Sequence, residues 1–305
     1  MRRLLAATAL VFAVITSPAL GDTLTIDGVK RSFLIHSAGT APAPLVLVLH
    51  GNTQQGSDME IRTSWPAVAR REQFTAVFPD GLNKSWADLR GNGQRSGRAP
   101  PQGTDDAAFL MAIVDKLIKD GTADPKRIYV TGLSNGGAMT MTLACRHPET
   151  FAAAASVIMN MTNTFGDNCK PSRPIPMLIM NGTEDPLIPF TGGLGTSRFA
   201  VPGFWSAAQT LAFWRKINAC SAQDFQTTNL PDRDRSDQST VTRIESRCPS
   251  GQDVLFYRVN GGGHRMPGAF PDARAERLVT SLLGPQNHDI DGAETIWAFL
   301  RNFRR

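Results

Sequence analysis

Paired C-x-x-C motifs, cysteine–histidine clusters, internal repeats and linker-like stretches are all missing from this 305-residue chain, which has 4 cysteines and 5 histidines. Without ligand spacing of that kind, no metal site is expected. Charge of one sign is also scarce. The formal net charge is +5, and it falls to +3 when residues 1–21, with their two arginines, are set aside. That bias is too mild for a nucleic-acid partner. The longest early apolar run, Leu4 to Ile15, is too short to span a bilayer.

What that run does resemble is a leader. Arg2 and Arg3 precede it, and Ser17-Pro18-Ala19-Leu20-Gly21 follows with small residues at 19 and 21, so residues 1–21 read as a secretory signal peptide cleaved near Asp22. No cysteine follows the cleavage point to carry a lipid anchor. The expected product is a secreted or periplasmic protein with no membrane attachment after cleavage. About 280 residues suffice for one sizeable core, so residues 22–305 are expected to form a single domain, with the polar stretch Gln226 to Thr240 as a surface loop. In an exported chain the four cysteines suggest two bridges. Cys145 with Cys169 and Cys220 with Cys248 is the favoured pairing, because each pair spans one element and the following loop.

The order of elements is strand-rich and then alternating. Leu24 to Ile26, the turn Asp27-Gly28 and Ser32 to Ile35 read as a hairpin. Leu45 to His50 and Phe74 to Pro79 are continuous apolar runs of the kind buried in a parallel sheet. Asp105 is placed to cap a helix that turns Phe109, Ile113, Val114 and Leu117 inward. Strands are expected at Arg127 to Thr131, Phe151 to Met159, Pro176 to Asn181 and Val254 to Val259, and helices at Trp205 to Ile217 and Ala293 to Phe303, with Asp289 as a cap of the last. An antiparallel start followed by βα units is the layout of an α/β-hydrolase: a mostly parallel central sheet with helices on both faces.

Gly132-Leu133-Ser134-Asn135-Gly136 sits between such a strand and a helix-compatible run, as a serine nucleophile at a strand-to-helix elbow would. In this layout the acid follows a later strand and the histidine a later one still. His36 and His50 precede the serine, and His147 lies about 20 Å along the elbow helix at 1.5 Å per residue. His264, on Gly261-Gly262-Gly263, is preferred over His288, which reads as a surface residue. Glu184 and Asp185 can each orient an imidazole, and Asp185 is preferred because Pro186 stiffens its backbone. Ser134 then attacks, His264 moves the proton and Asp185 holds the ring. The backbone amides of Asn52 and Asn135 are the candidate oxyanion donors, with His50 positioning the first loop.

His50-Gly51, Phe78-Pro79-Asp80-Gly81, Asp105-Asp106, Thr131 to Gly137, Asn181-Gly182 up to Asp185-Pro186, Gly262-Gly263-His264 and Asp289-Ile290-Asp291 together resemble the secreted polyhydroxybutyrate depolymerase and feruloyl esterase family, including the LpqC-like esterases. The resemblance spans roughly residues 25 to 303. It implies a serine esterase without a cofactor, acting on a small-molecule or polymeric ester, with hydroxyalkanoate oligomers as the first reading and feruloyl or acetylxylan-type esters as the alternative. An acyltransferase or a non-catalytic binding module on the same scaffold are further alternatives. The chain departs from the family at Asn52, where cysteine or glycine is common, and at Met266, where tryptophan is common. Trp86, Trp205 and Met266 are the candidate substrate contacts, against a competing reading of the aromatic residues as core.

Overall fold

The computed structural model describes residues 20–90, 99–194, 203–221, 223–249, 251–269 and 276–305. The leader expected over residues 1–21 lies outside them up to residue 19. Residues 20 and 21 open strand β1 (Leu20–Ile26), which pairs antiparallel with β2 (Val29–His36) across the Asp27-Gly28 turn. β2 in turn runs antiparallel to β4 (Thr75–Pro79). From there the sheet is parallel through β3 (Ala43–Leu49), β5 (Ala123–Leu133), β6 (Ala153–Val157), β7 (Met177–Gly182) and β10 (Val254–Asn260). With β9 (Thr240–Ser246) and β8 (Phe225–Asn229) beyond β10, all ten strands among the described residues belong to this sheet, in the order β1-β2-β4-β3-β5-β6-β7-β10-β9-β8.

The period-2 alternation of a strand explains why the central runs are apolar throughout. Along β3, Leu45, Leu47 and Leu49 enter one core with Phe109, Ile113 and Val114 of α3 (Asp106–Lys119), while Val46 and Val48 enter another with Trp65 and Phe74. Both faces are covered, so both sets of side chains are buried. At roughly 1.5–3 kcal/mol per fully buried large aliphatic side chain, this strand is a major source of cohesion. On the second face α2 (Trp65–Glu72) meets α8 (Gly292–Leu300), where the Phe74 and Trp297 rings stack at 4.1 Å. The first face carries α3, α4 (Asn135–Arg146) and α6 (Ala207–Ile217). Asp105 caps α3 by accepting the Ala108 N–H at 3.0 Å.

Two expectations need correction. The polar stretch from Gln226 to Thr240 is not all loop: β8 (Phe225–Asn229) and β9 (Thr240–Ser246) form an antiparallel hairpin on the outer edge of β10. Nearly every residue of β8 is exposed, so no apolar alternation marks it. Asp289 does not cap the last helix either. Asp291 does, accepting the Glu294 N–H at 3.0 Å, while Asp289 is buried and accepts the backbone N–H groups of Arg233 (2.6 Å) and Asp234 (3.1 Å) from the β8–β9 connection. Four further helices, α1 (Gly56–Arg62), α2, α5 (Asn163–Asn168) and α7 (Glu276–Leu283), were not expected. Disulfides join Cys145 to Cys169 and Cys220 to Cys248. The first ties the end of α4 to the end of α5, and the second ties the hairpin to the end of α6. No helix among the described residues is long and apolar enough to cross a membrane.

Candidate active site

Ser134 sits where β5 gives way to α4, with φ 55° and ψ −117°. Left-handed φ at a non-glycine residue is costly and persists only where the surroundings enforce it. Here the enforcement is visible on every side. The Ser134 N–H donates to the Val157 carbonyl at 2.9 Å, and a Cβ on Gly132 would run into the Gly136 backbone. A Cβ on Gly136 would strike the carbonyls of Leu49 and His50. The glycines on either side of the serine are therefore required by close backbone approach, which presses the start of α4 onto the end of β3.

The loop after β3 lies against the serine. A Cβ on Gly51 would stand 3.6 Å from the Ser134 Cβ, and the Gly51 N–H donates to Gln54 Oε1 at 2.9 Å. His50 is fully buried behind this loop. Its Nδ1 lies 2.8 Å from the Gly51 carbonyl and its Nε2 accepts the Gly81 N–H at 2.9 Å, which assigns the proton to Nδ1. Burial holds its pKa below the usual histidine value, so the ring is neutral and joins the β3 and β4 loops.

Asp185 and His264 arrive from neighbouring parallel strands. Gly182 pairs with Val259 in the β7–β10 register, and beyond the strands the two loops bond to each other: Thr183 N–H to Val259 O (2.9 Å), Glu184 N–H to Gly262 O (2.9 Å) and Gly261 N–H to Thr183 Oγ1 (2.8 Å). Asp185 Oδ1 accepts the N–H groups of Leu187 and Ile188, both at 2.8 Å. Its Oδ2 lies 2.7 Å from His264 Nδ1, and His264 Nε2 lies 2.9 Å from Ser134 Oγ. The structure thus brings Ser134, His264 and Asp185 into one hydrogen-bonded line, with Asp185 and His264 each 8% exposed. Such a line can withdraw a hydroxyl proton while a buried carboxylate fixes the imidazole's tautomer and orientation. Glu184 is exposed, and His288 lies on the surface with its backbone N–H on Asp237.

A cleft of about 190 Å³ opens beside His264, lined among others by Leu133, Met59, Met266, Leu283, Arg62 and Arg265. Met266 is 5% exposed and presses on Gly292. Of the three expected substrate contacts, Met266 alone borders this cleft. Trp86 is fully buried; its Nε1–H donates to the His50 carbonyl at 2.9 Å and its ring packs 4.7 Å from the His50 ring. It is a core residue that braces the loop, and it has no surface for a substrate. Trp205 stands over Gly166 of α5, donating from Nε1 to Asn163 Oδ1 at 2.6 Å, away from the lining of the cleft. Across the cleft Arg265 makes a two-pronged ion pair with Glu276 of α7 (2.6 and 3.0 Å), holding that carboxyl below the usual range.

The sequence reading assigned Asn135 only a backbone role and missed its side chain. That side chain is buried and accepts from Trp86 N–H (2.7 Å) and Ser85 Oγ (3.1 Å), while its Nδ2 donates to Trp86 O (3.1 Å) and Asp88 Oδ2 (2.8 Å). Nothing in the spacing of residues 85–90 announces this. Among the described residues no group of three His, Cys, Asp or Glu side chains is placed to hold a metal ion.

The chain is similar in sequence to known esterases. Residues 86–172 match the prolyl oligopeptidase family. NocK of Nocardia uniformis subsp. tsuyamanensis, named as an esterase, is 28% identical over 298 residues, covering 91% of this chain and 81% of NocK. Feruloyl esterase B of Piromyces equi is 28% identical over 74% of this chain, and poly(3-hydroxyalkanoate) depolymerase C of Paucimonas lemoignei is 33% identical over 40% of it. The chain spans only 40% and 29% of those two longer proteins. Among solved structures, the acetyl xylan esterase from Aspergillus awamori superposes with a TM-score of 0.55 at 15% identity over 85% of this chain and 97% of its own, a likeness of fold. With a mostly parallel sheet, a serine at its central elbow and similarity to esterases of this kind, the chain has an α/β-hydrolase fold and is a carboxylic ester hydrolase of the serine type.

Proposed function

We propose that Ser134, His264 and Asp185 cleave a short ester, that of a hydroxyalkanoate oligomer, through an acyl-enzyme, and that residues 22–305 do so as one domain outside the cytoplasm. The observation that carries the mechanism is the unbroken line from Ser134 Oγ through both nitrogens of His264 to Asp185, at 2.9 and 2.7 Å. In the first half-reaction Ser134 Oγ bonds to the ester carbonyl carbon and its proton passes to His264 Nε2. The carbonyl oxygen takes the negative charge between the amides of Asn52 and Asn135. Collapse breaks the bond to the alcohol oxygen, which leaves with the proton from Nε2. Water then attacks the acyl-enzyme, gives its proton to His264, and the acid departs as Ser134 recovers the proton.

Because the ring that accepts the serine proton also returns it to the leaving oxygen, the alcohol part of the ester belongs beside His264, where the cleft lies. Its methionine and leucine lining suits a short aliphatic unit. The Paucimonas depolymerase supports the hydroxyalkanoate reading. A feruloyl ester is the second reading, supported by the Piromyces relative. Two disulfides support an oxidising compartment.

The test is turnover of p-nitrophenyl butyrate, 3-hydroxybutyrate oligomers and methyl ferulate by wild type and Ser134→Ala, with fluorophosphonate labelling of both. Wild type is expected to hydrolyse the first two and to take the label, and Ser134→Ala to lose about six orders of magnitude in kcat. Equal activity in the two proteins would sink the mechanism, and turnover of ferulate alone would replace the substrate reading.

A further inference from the structure

The two amides proposed to hold the oxyanion come from separate elements, Asn52 from the loop after β3 and Asn135 from the first turn of α4. One short segment grips both. The Thr53 N–H, next in the chain after Asn52, donates to the Lys84 carbonyl at 2.8 Å. Trp86 Nε1–H donates to the carbonyl of His50, two residues before Asn52, at 2.9 Å. On the other side the Asn135 side chain makes its four bonds to Ser85, Trp86 and Asp88, all within the same five residues.

We infer that Lys84 to Asp88 form a strap that sets the spacing of the two oxyanion donors, with Trp86 and the Asn135 side chain as its positioning residues; this rests on the reading of Asn52 and Asn135 as the donor pair. The strap is itself anchored. Asp88 is gripped by Arg90 at 2.9 and 2.6 Å, and the Ala87 N–H donates to Asp106 Oδ2 at 2.7 Å, which Arg31 holds through Oδ1 at 2.6 Å. Ser85 and Trp86 are completely buried and Asn135 is 3% exposed. A buried amide is unfavourable unless its donors and acceptor are matched. Here the amide is matched by the strap, so an apolar residue of similar size would pack on the helix yet leave the strap untied. A satisfied buried network is rigid. Rigidity is what a donor pair needs, since its contribution depends on donors already aimed when charge develops.

The test compares wild type, Ser134→Ala, Asn135→Ala and Trp86→Phe on p-nitrophenyl butyrate and on its thiono analogue, with sulfur in place of the carbonyl oxygen, alongside a thermal melt of each. Sulfur is a weak acceptor, so an intact donor pair favours the oxygen ester. Asn135→Ala is expected to lose about 100-fold in kcat on the oxygen ester with KM within about twofold, and Trp86→Phe about tenfold. Both losses should be smaller on the thiono ester, so that the preference for oxygen narrows. Folded variants that keep wild-type kcat, or that lose the same factor on both esters, overturn the strap. If Asn135→Ala does not fold, Trp86→Phe decides alone, because it keeps an aromatic ring while removing the Nε1–H, and its smaller volume is read separately in the melt and as a loss common to both esters. Failure of the underlying reading looks different: Ser134→Ala retains turnover, or wild type shows no preference for the oxygen ester.

Discussion

The serine half of the site and the histidine half are built to different standards of rigidity. Ser134 is fixed by a helix buried from Asn135 to Cys145, by backbones in contact at Gly132 and Gly136, and by the buried network around Asn135. His264 rides on a run of three glycines bordered by α7, a helix with no buried residue and with Leu278 and Leu282 each at least 60% exposed. Its support is a set of loop hydrogen bonds to Thr183, Glu184, Leu283 and Pro285. The half proposed to present a strained nucleophile is embedded in the core, while the half proposed to accept and return a proton is hung from two strand ends. Stability and activity are therefore expected to be coupled in the first and separable in the second.

The strongest way to test that separation is Asp185→Asn. The amide oxygen can still accept from Leu187 and Ile188, so the fold should hold to within about 1 kcal/mol. The ring of His264, however, loses its carboxylate and its correct tautomer. We expect kcat to fall about 10⁴-fold, roughly 5.5 kcal/mol of transition-state stabilisation, with an almost unchanged melting temperature. A parallel fall in stability would erase the distinction between the halves.

Gly136→Ala probes the opposite half. The new methyl meets backbone carbonyls of Leu49 and His50, which cannot turn aside as a side-chain end would. A loss of about 3 kcal/mol in urea denaturation, accompanied by loss of turnover, is the expected result. Wild-type stability with normal kcat would show that the elbow yields.

The smallest effect concerns His50 and pH. Burial lowers its pKa in the folded protein below the 6.5 of the unfolded chain, so the unfolded state binds the proton first. Its contribution to stability is complete above pH 6.5 and is lost as pH falls from there toward the folded value, by at most about 1.4 kcal/mol per pH unit. Urea midpoints between pH 7.5 and 5.5 should drop more for wild type than for His50→Asn. Identical slopes would assign the buried ring no part in the acid response.

How much of this was legible in the sequence follows the same division. The elbow at Ser134 is local, since strand, turn glycines and helix are contiguous, and the apolar runs of β3 and β4 mark a sheet buried on both faces. The choice of His264 and Asp185 rested on the order of elements, because parallel neighbours bring successive strand ends together, and was completed by the glycines before His264 and by Pro186 after Asp185. Trp86 stayed open between substrate contact and core because an indole in a loop looks the same whether it faces solvent or a neighbouring histidine; only the fold shows its Nε1–H on the His50 carbonyl. The Asn135 side chain was missed because its partners lie 47 to 50 residues away, with no spacing rule to join them. β8 was hidden because an edge strand exposed on both faces has no reason to alternate.

The adjacency of β7 and β10 has one more consequence. Between the acid's loop and β10 lies the β8–β9 hairpin on the outer edge of the sheet, yet β7 and β10 are hydrogen-bonded directly to each other. The spacing of Asp185 and His264 is set by the β7–β10 ladder and by the loop bonds of Thr183 and Glu184 just beyond it, which the hairpin does not enter. This makes the exposed turn at Arg235 and Ser236, beyond the amides that Asp289 holds, a natural port for grafting: a carbohydrate-binding or polymer-binding module inserted there would extend the enzyme's reach without retuning its chemistry.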